Sequence, residues 1–252
     1  MGEIRRQKIL DMARLSGEVT VDELALRFAV TPQSIRKDLN RLTAERLLTR
    51  THGGARLASS IENMSYEARR MLASEQKNRI GKAVAGIIPD NASLFVNIGT
   101  TTEAVAQGLL QHQHLMVITN NINVASLMRP YSNNQVIIAS GEVRPDGGIV
   151  GEAAVDFISQ FKVDFAVIGS SAIDSDGALL DFDYREVKVS QAIIANARHV
   201  ILAADSSKHE RSAPVRIGHV SQINCFVTDQ CPSRNFRRLL DGFDIRTIET
   251  SR

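Results

Sequence analysis

Cysteine and long apolar runs are what this sequence has least of. Its 252 residues contain two cysteines, Cys225 and Cys231. Two cysteines form neither a disulfide framework nor a zinc pattern, so we expect free thiols in a reducing cytoplasm. No run of about 18 apolar residues occurs, which argues against a membrane span. The charged first ten residues lack the apolar core of a signal peptide.

Charge is distributed unevenly along the chain. Residues 1–57 contain 11 Lys and Arg against 7 Asp and Glu, whereas the rest of the chain contains 19 against 21. The length suits one large domain or two small ones. A basic first part followed by a slightly acidic remainder indicates two modules with different partners.

The basic part has the pattern of a helix-turn-helix. An amphipathic helix is predicted over 5–15. Thr20-Val-Asp-Glu23 then forms a capping box, in which Thr and Glu satisfy each other's backbone donors, at the start of a second helix. After a three-residue break, Thr31-Pro32 provides the N-cap and first residue of a third helix. Two capped helices with a short break between them predict a helix-turn-helix.

The third predicted helix separates its residues into two faces. Ile35, Leu39 and Leu42 recur at helical spacing and predict a face packed on the earlier helices. The opposite face presents donors suited to base edges and phosphates in a major groove. These donors are Gln33, Arg36, Lys37 and Asn40. An ordinary solvated face is the alternative, but the caps and the short turn favour DNA binding.

A β hairpin is predicted directly after this helix. Gly53-Gly54 separates the runs 47–52 and 55–57, which is a turn signal between two strands. This wing would carry Arg50, His52 and Arg56 to the DNA backbone or minor groove. His52 has no second candidate ligand nearby, so it does not indicate a metal site.

The basic module is similar to the winged helix of DeoR-type bacterial repressors. The resemblance rests on VTPQSIRKDLNRL at 30–42 and RTHGGA at 50–55. It implies that the helix recognises double-stranded operator DNA, and it adds Thr31, Ser34 and Arg41 to the predicted DNA-binding residues. Lys37 stands where the family often has arginine, a change that keeps the phosphate charge but alters bidentate contacts with guanine.

The remaining sequence alternates apolar strand patterns with helical ones. A small, polar stretch at 58–65 predicts a linker, and the charged stretch over 66–88 predicts a single helix. The alternation that follows predicts a parallel α/β sheet with helices on both faces. The runs GTTT, TNN, SGEVR, GSS and DSSK all follow strands, at the edge where ligands bind in such sheets. We expect a DNA-binding domain over 1–57 and an effector-sensing α/β domain over 66–252.

The stretch Leu94–Val105 is the strongest candidate for an anion site. Its apolar strand pattern ends at Gly99, and Thr100, Thr101 and Thr102 lead into a helix. The free N–H groups and the dipole of a helix start attract anions. From this pattern alone, a simple N-cap by Thr101 or Thr102 and a phosphate site are equally supported.

Further polar residues follow neighbouring strands. Lys208 lies at the predicted ligand edge and would face the helix start, as suits a phosphate. Gly141 and Arg144 follow another strand, and Arg144 receives the same interpretation. For Asn120 and Asn121, contacting a ligand hydroxyl and capping the next helix are equally supported.

An acidic cluster is the candidate for contacts with ligand hydroxyls. Asp181, Asp183 and Glu186 would either accept hydrogen bonds from ligand hydroxyls or form a solvated turn. Carboxylates opposite a lysine are also the parts of a sugar-phosphate isomerase, which is the enzymatic alternative. Asp174-Ser-Asp-Gly177 lacks the spacing of a calcium loop and predicts a tight turn. The sequence indicates neither a metal nor a cofactor.

The second module resembles the sensor domain of the same repressors, which is similar to the ribose-5-phosphate isomerase fold. The matching segments are SSIEN at 59–63, NIGTTTEAVA at 97–106, ITNN at 118–121, GGIVGEAAVDFISQFKVDFAVIG at 147–169, IDSDGALLDFDYREV at 173–187 and ADSSK at 204–208. The resemblance implies a repressor of glycerol metabolism, without enzymatic activity, that a phosphorylated effector releases from its operator. Glycerol 3-phosphate is the expected effector, and another sugar phosphate is the alternative. Reading two successive major grooves about 34 Å apart requires a homo-oligomer, a dimer or tetramer.

Two loops depart from the family pattern. Gly169-Ser-Ser-Ala172 replaces a stretch that is richer in glycine in the family. Lys208-His-Glu-Arg211 replaces Lys-Phe-Gly-Arg. Both loops follow strands at the ligand edge, so we expect the bulkier residues, and the acid Glu210, to alter effector binding.

Overall fold

The computed structural model describes residues 2–16, 18–45, 47–57 and 66–250, without the side chains of residues 2, 14, 15, 57 and 210. The predicted linker, with its SSIEN motif, lies outside the described residues. Internal contacts divide the chain into two compact units, Met1–Met64 and Ser65–Arg252. No helix in the described ranges is long and apolar enough to cross a membrane.

The first unit packs helices against a small antiparallel sheet. Its described elements are α1 (Gly2–Ser16), β1 (Glu18–Thr20), α2 (Val21–Phe28), α3 (Pro32–Ala44), β2 (Leu48–Thr51) and β3 (Gly54–Leu57). The strands pair in the order β1-β3-β2, so the predicted hairpin gains a third strand. Ile35, Leu39 and Leu42 are at most 1% exposed, which confirms the predicted inner face of α3.

Two local predictions in this unit are refined by the geometry. Thr20 caps α2 by accepting a hydrogen bond from the N–H of Glu23 at 3.3 Å. Glu23 accepts from the Thr20 hydroxyl at 2.9 Å, rather than from the backbone N–H of a capping box, because the Thr20 backbone ends β1 and pairs with Gly54. Gly54 is required there, since a Cβ would lie 2.1 Å from the Val19 carbonyl oxygen.

The second unit is built on a seven-stranded parallel sheet of order β15-β14-β12-β9-β4-β5-β6. Its strands are β4 (Ser93–Val96), β5 (Met116–Thr119), β6 (Gln135–Ile138), β9 (Val163–Ile168), β12 (Ala197–Ala203), β14 (Cys225–Thr228) and β15 (Arg246–Glu249). The larger helices are α4 (Tyr66–Met71), α5 (Ser74–Ala85), α6 (Thr100–Gly108), α7 (Ile122–Met128), α8 (Glu152–Ile158), α9 (Tyr184–Ala195) and α10 (Arg234–Gly242). Phe95 belongs to the apolar cluster on one face of the sheet, and Leu94 and Val96 belong to the cluster on the other. This alternation confirms a buried parallel sheet with helices on both faces.

The helix predicted over 66–88 is wrong as a single element. Ala73 has a positive φ of 53° and separates α4 from α5. The buried ammonium of Lys77 donates to the carbonyl oxygens of Arg69 and Leu72. Lys77 therefore caps the end of α4, and the break carries no unpaired carbonyl at those two residues.

Short antiparallel strands are the second difference from the predicted sheet. They are β7 (Glu142–Val143) with β8 (Ile149–Val150), and β10 (Ala172–Ile173), β11 (Ala178–Asp181) and β13 (Val215–His219). Strands of two residues carry no readable periodicity. The turn predicted at 174–177 is confirmed, because Gly177 donates to the carbonyl of Asp174 at 2.9 Å.

Candidate functional site

The outer face of α3 presents most of the predicted base-reading side chains. Gln33, Arg36, Lys37, Asn40 and Arg41 are exposed, whereas the inner face is buried. Arg41 is paired with Glu45 one turn later, at 3.1 Å. An exposed row of donors on the second helix of a helix-turn-helix is the geometry that major-groove recognition requires.

Thr31 and Ser34 have a different position from the other predicted residues of α3. The Thr31 side chain accepts from the N–H of Ser34 at 3.3 Å, and the two hydroxyls lie 3.0 Å apart. Both side chains therefore cap the helix start. Their contacts orient α3, whose outer donors lie further along.

Asp38 is a buried residue of α3 that the pattern did not single out. It is 5% exposed, and it accepts a hydrogen bond from Arg5 at 2.6 Å and lies 3.6 Å from Arg6. These ion pairs join α3 to α1. Two basic residues of the first module, Arg5 and Arg6, are thus paired within the protein itself.

The wing carries three further predicted DNA contacts. Arg50 lies on β2 and Arg56 on β3, and His52 lies in the turn between these strands. All three side chains are exposed. Cations on a hairpin beside a reading helix suit contacts with DNA phosphates.

A pocket in the second unit lies at the carboxyl ends of β4, β9 and β12. It is lined by Arg69, Ile98, Gly99, Thr100, Thr101, Thr102, Gly169, Ser170, Ser171, Asp181, Glu186, Ala203 and Lys208. The fold thus brings together three predicted parts of the site: the glycine-threonine loop and Lys208, which follow strands, and Glu186 on α9. Arg69 was not predicted, and Ser170 belongs to a loop that was placed at this edge without being assigned to the ligand.

The start of α6 forms one wall of this pocket. Gly99 is the N-cap, at a φ of 142°, and no side chain caps the helix. Thr102 instead donates its hydroxyl to the carbonyls of Asn97 at 2.6 Å and Gly99 at 2.7 Å. The alternative of a simple threonine cap is therefore wrong. The N–H groups of the first turn keep the character of an anion site.

Arg69 and Lys208 line the pocket, and the charges of Lys77 and Arg211 also act on Lys208. Burial lowers the pKa of Lys208 to about 8, Asp205 opposes that shift, and Arg211, Lys77 and Arg69 reinforce it. Burial also lowers the pKa of Lys77 to about 8, again with Arg69 and Arg211 among the contributing charges. Positive groups that destabilise one another's charge are stabilised together by an anion.

Two buried acids lie on the pocket wall. Asp181 accepts from the Ser171 hydroxyl at 3.1 Å and from the Phe182 N–H at 2.7 Å. Glu186 accepts from Arg144 at 2.6 Å. Burial raises the pKa of both carboxyls, to about 8 for Glu186, where Asp181 adds to the shift. These groups provide hydrogen-bonding capacity beside the cations of the pocket.

Two buried atoms of the lining residues lack a hydrogen-bond partner within the described residues. They are the hydroxyl of Ser170 and the Nε of Arg69. An unpaired buried polar group costs about 1–3 kcal/mol. A ligand with acceptor oxygens would remove that cost, so these atoms support a binding role for the pocket.

Four predicted effector-binding residues lie outside the pocket lining. Arg144 stands behind Glu186 and also bonds Asp146 and Asp183. Asp183 caps α9 through the Arg185 N–H at 2.8 Å. Asn120 donates to the Ile149 carbonyl at 3.2 Å. Gly141 provides close packing, because a Cβ there would lie 2.6 Å from the Val150 carbonyl oxygen.

His209 accounts for one of the two departures from the family pattern. Its ring packs edge-on against Phe236, with centroids 4.6 Å apart, and against Phe226 at 6.2 Å. Burial lowers its pKa to about 4. His209 thus packs in an aromatic cluster and does not line the pocket, although its loop follows a strand at the ligand edge. In the other loop, Ser170 and Ser171 do line it.

Comparisons with known proteins agree with this architecture. Residues 5–61 match the DeoR-like helix-turn-helix domain, and residues 72–230 match the DeoR C terminal sensor domain. The chain belongs to the DeoR family. This DeoR-family chain is 48% identical over 229 residues to the glycerol-3-phosphate regulon repressor of Haemophilus influenzae, covering 91% of the chain and 90% of that protein. It is 45% identical over 243 residues to the Escherichia coli protein of the same name, covering 96% of each.

Solved structures with a related arrangement include ribose 5-phosphate isomerase A from Methanocaldococcus jannaschii. That structure matches with a TM-score of 0.41 and 13% identity, over 54% of this chain and 55% of the isomerase. The predicted family membership is confirmed by the sequence relatives.

Proposed function

We propose that this DeoR-family protein represses transcription by binding operator DNA through α3 and the wing. A small phosphorylated effector in the pocket lowers its affinity for the operator. Glycerol 3-phosphate is the proposed effector, in keeping with the names of the relatives described above. Because one α3 reads one major groove, the proposed binding form is a homo-oligomer that presents two copies about 34 Å apart.

The combination of cationic donors and carboxyl groups in one pocket carries this proposal. Arg69, Lys208 and the uncapped start of α6 provide charge and donors for a phosphate. Asp181 and Glu186 provide hydrogen-bonding groups for hydroxyls. A phosphate ester of a short polyol carries complementary groups on one molecule.

We propose binding rather than catalysis at this pocket. The relatives described above are named as repressors, and residues 5–61 match a DNA-binding domain. Both findings favour a pocket that binds its ligand without converting it. Turnover of ribose 5-phosphate or a triose phosphate by the full chain would favour the isomerase alternative.

Titration calorimetry of the full chain tests the effector. The ligands are glycerol 3-phosphate, glycerol, inorganic phosphate and a panel of pentose and hexose phosphates at constant ionic strength. We expect glycerol 3-phosphate to bind more tightly than inorganic phosphate and glycerol to show no binding, because each lacks one end of the complementary ligand. Tighter binding of a hexose phosphate would replace the proposed effector and leave the repressor standing.

A further inference from the structure

Arg69 reaches the pocket from the most weakly buried element around it. Among the described lining residues, Arg69 alone belongs to α4. No residue of α4 is buried, and Met71 is 78% exposed. Polar contacts hold the helix in place. The Tyr66 hydroxyl donates to Glu103 at 2.9 Å, and the Arg69 guanidinium donates to Asp146 at 3.0 Å.

The guanidinium of Arg69 is only half used in these contacts. One terminal nitrogen contacts Asp146, whereas the buried Nε has no hydrogen-bond partner in the described part of the chain. Arginine can bind an oxyanion through two parallel N–H groups. A phosphate in the pocket would therefore offer Arg69 more hydrogen bonds than Asp146 does.

Asp146 stays paired when Arg69 leaves it. Arg144 donates to both carboxylate oxygens, through its Nε at 3.1 Å and through a terminal nitrogen. The N–H of Gly148 also donates to Asp146 at 3.2 Å. Losing Arg69 therefore does not leave a buried carboxylate alone, which keeps the cost of the exchange low.

The pocket is small and partly open to solvent. Its volume is about 30 Å³, room for roughly one or two water molecules. Because a phosphate ester is larger than this, we expect a lining group to move when the ester binds. The side chain of Arg69 is the candidate, because its helix has no apolar anchor.

We propose that Asp146 and the phosphate of the effector compete for Arg69, and that α4 shifts when the phosphate wins. This inference rests on the proposed function. Since α4 begins at Tyr66, directly after the residues that join the two units, its shift is the change that binding transmits to the DNA-binding unit. The state with Arg69 on Asp146 is the one that binds the operator.

A double-mutant cycle tests the competition. The affinity for glycerol 3-phosphate is measured by calorimetry for the wild type, Asp146→Asn, Arg69→Gln and the double variant, with thermal unfolding as a check of folding. We expect Asp146→Asn to tighten binding at least threefold when Arg69 is present and to have no effect when it is Gln. Asp183→Asn is the matched control, because Asp183 also contacts Arg144 but does not contact Arg69.

Each result of this cycle has a distinct meaning. Unchanged or weaker binding by Asp146→Asn, or equal tightening in the Arg69→Gln background, overturns the competition and leaves the proposed effector standing. A wild type that binds none of the phosphate esters overturns the proposed effector and this inference together.

Tyr66→Phe tests the shift of α4 from outside the pocket. It removes the hydroxyl contacts to Glu103 and Asn123 while keeping the ring, so it loosens the docked helix. Because coupling is reciprocal, we expect glycerol 3-phosphate to bind at least threefold more tightly and the operator more weakly by a similar factor. Tyr66→Phe with unchanged affinities for both ligands would show that α4 does not transmit binding.

Discussion

The two units use basic residues in opposite environments. On α3, Arg36 and Lys37 are exposed side chains on a continuous helical face. Around the pocket, Lys208 is buried among other cations and its pKa is lowered. Exposed cations keep their charge at little cost and suit a long polyanion. Buried cations require a matched counter-charge, and that requirement makes a site selective for one small anion.

The difference also explains what each unit recognises. A row of donors on a helix lies along a DNA groove, so the order of the side chains determines which base sequence the helix recognises. A pocket made from separate loops recognises size and charge together. We therefore expect substitutions in the two units to affect different ligands.

Lys208→Met removes the buried charge of the pocket and keeps an unbranched apolar side chain. We expect binding of glycerol 3-phosphate to weaken by about 2–3 kcal/mol, since hydrogen bonds to charged groups contribute about that much, and operator binding without effector to stay unchanged. Calorimetry and fluorescence anisotropy measure the two affinities. Lys162→Met, at an exposed lysine, is the control and should match the wild type. Normal effector binding by Lys208→Met would contradict the assignment of Lys208 to the phosphate of the effector.

Arg36→Ala makes the reciprocal change on the outer face of α3. We expect operator affinity to fall by about 2 kcal/mol, the usual loss for one base-reading arginine, with no change in effector binding. The operator is first selected from random-sequence duplexes, and affinity is then measured by anisotropy at fixed salt. Arg27→Ala, at an exposed arginine of α2, should have a smaller effect. Equal losses from both variants would show that α3 is not the reading helix.

Acidification should lower the unfolding free energy of the second unit through the buried ring of His209. The pKa of His209 falls from 6.5 to about 4 in the folded chain, so the unfolded state binds the proton first. Stability is therefore fully present above pH 6.5 and is lost as the pH falls towards 4. Between pH 7.5 and pH 5 the loss attributable to His209 is about 2 kcal/mol.

His209→Phe is the variant that measures this loss. Its unfolding free energy, determined in urea at both pH values, should fall less on acidification than that of the wild type. His52→Phe, at an exposed histidine of the first unit, is the control for the replacement of a histidine by phenylalanine. Identical pH profiles for the wild type and His209→Phe would contradict the buried, neutral state of this ring.

Asp181→Asn is expected to have the smallest effect, because it changes one carboxyl group that is assigned to the ligand hydroxyls. We expect binding of glycerol 3-phosphate to weaken by about 1 kcal/mol, the net contribution of a typical hydrogen bond. Binding of inorganic phosphate should not weaken. Calorimetry with both ligands makes the comparison, and an equal loss for the two ligands would show that Asp181 does not recognise hydroxyls.

The two sites also differ in how far the sequence could predict them. The inner face of α3 depends on helical periodicity within a dozen residues, and Ile35 and Leu39 are buried as predicted. The pocket depends on which strand ends are neighbours. Gly99 and Lys208 could be placed at one edge because both follow strands of a parallel sheet. Their assignment as an effector site remains a prediction.

Residues outside strand ends carried no such signal. Arg69 belongs to a helix that appeared continuous over 66–88, and the break at Ala73 depends on Lys77 reaching back to two carbonyls. In the sequence, Asp183 and Glu186 belong to one acidic cluster and carry the same prediction. The structure separates them, because Glu186 faces the pocket whereas Asp183 caps α9. Only tertiary contacts decide which of two neighbouring acids faces a site.

The most direct test is the operator affinity of the wild type and of Lys208→Met, each measured with and without saturating glycerol 3-phosphate at constant ionic strength. We expect the effector to weaken operator binding by the wild type at least tenfold, which corresponds to about 1.4 kcal/mol of coupling. We expect no weakening for Lys208→Met at the same effector concentration. Equal operator affinity of the wild type in the presence and absence of glycerol 3-phosphate would contradict the proposal that the pocket controls DNA binding.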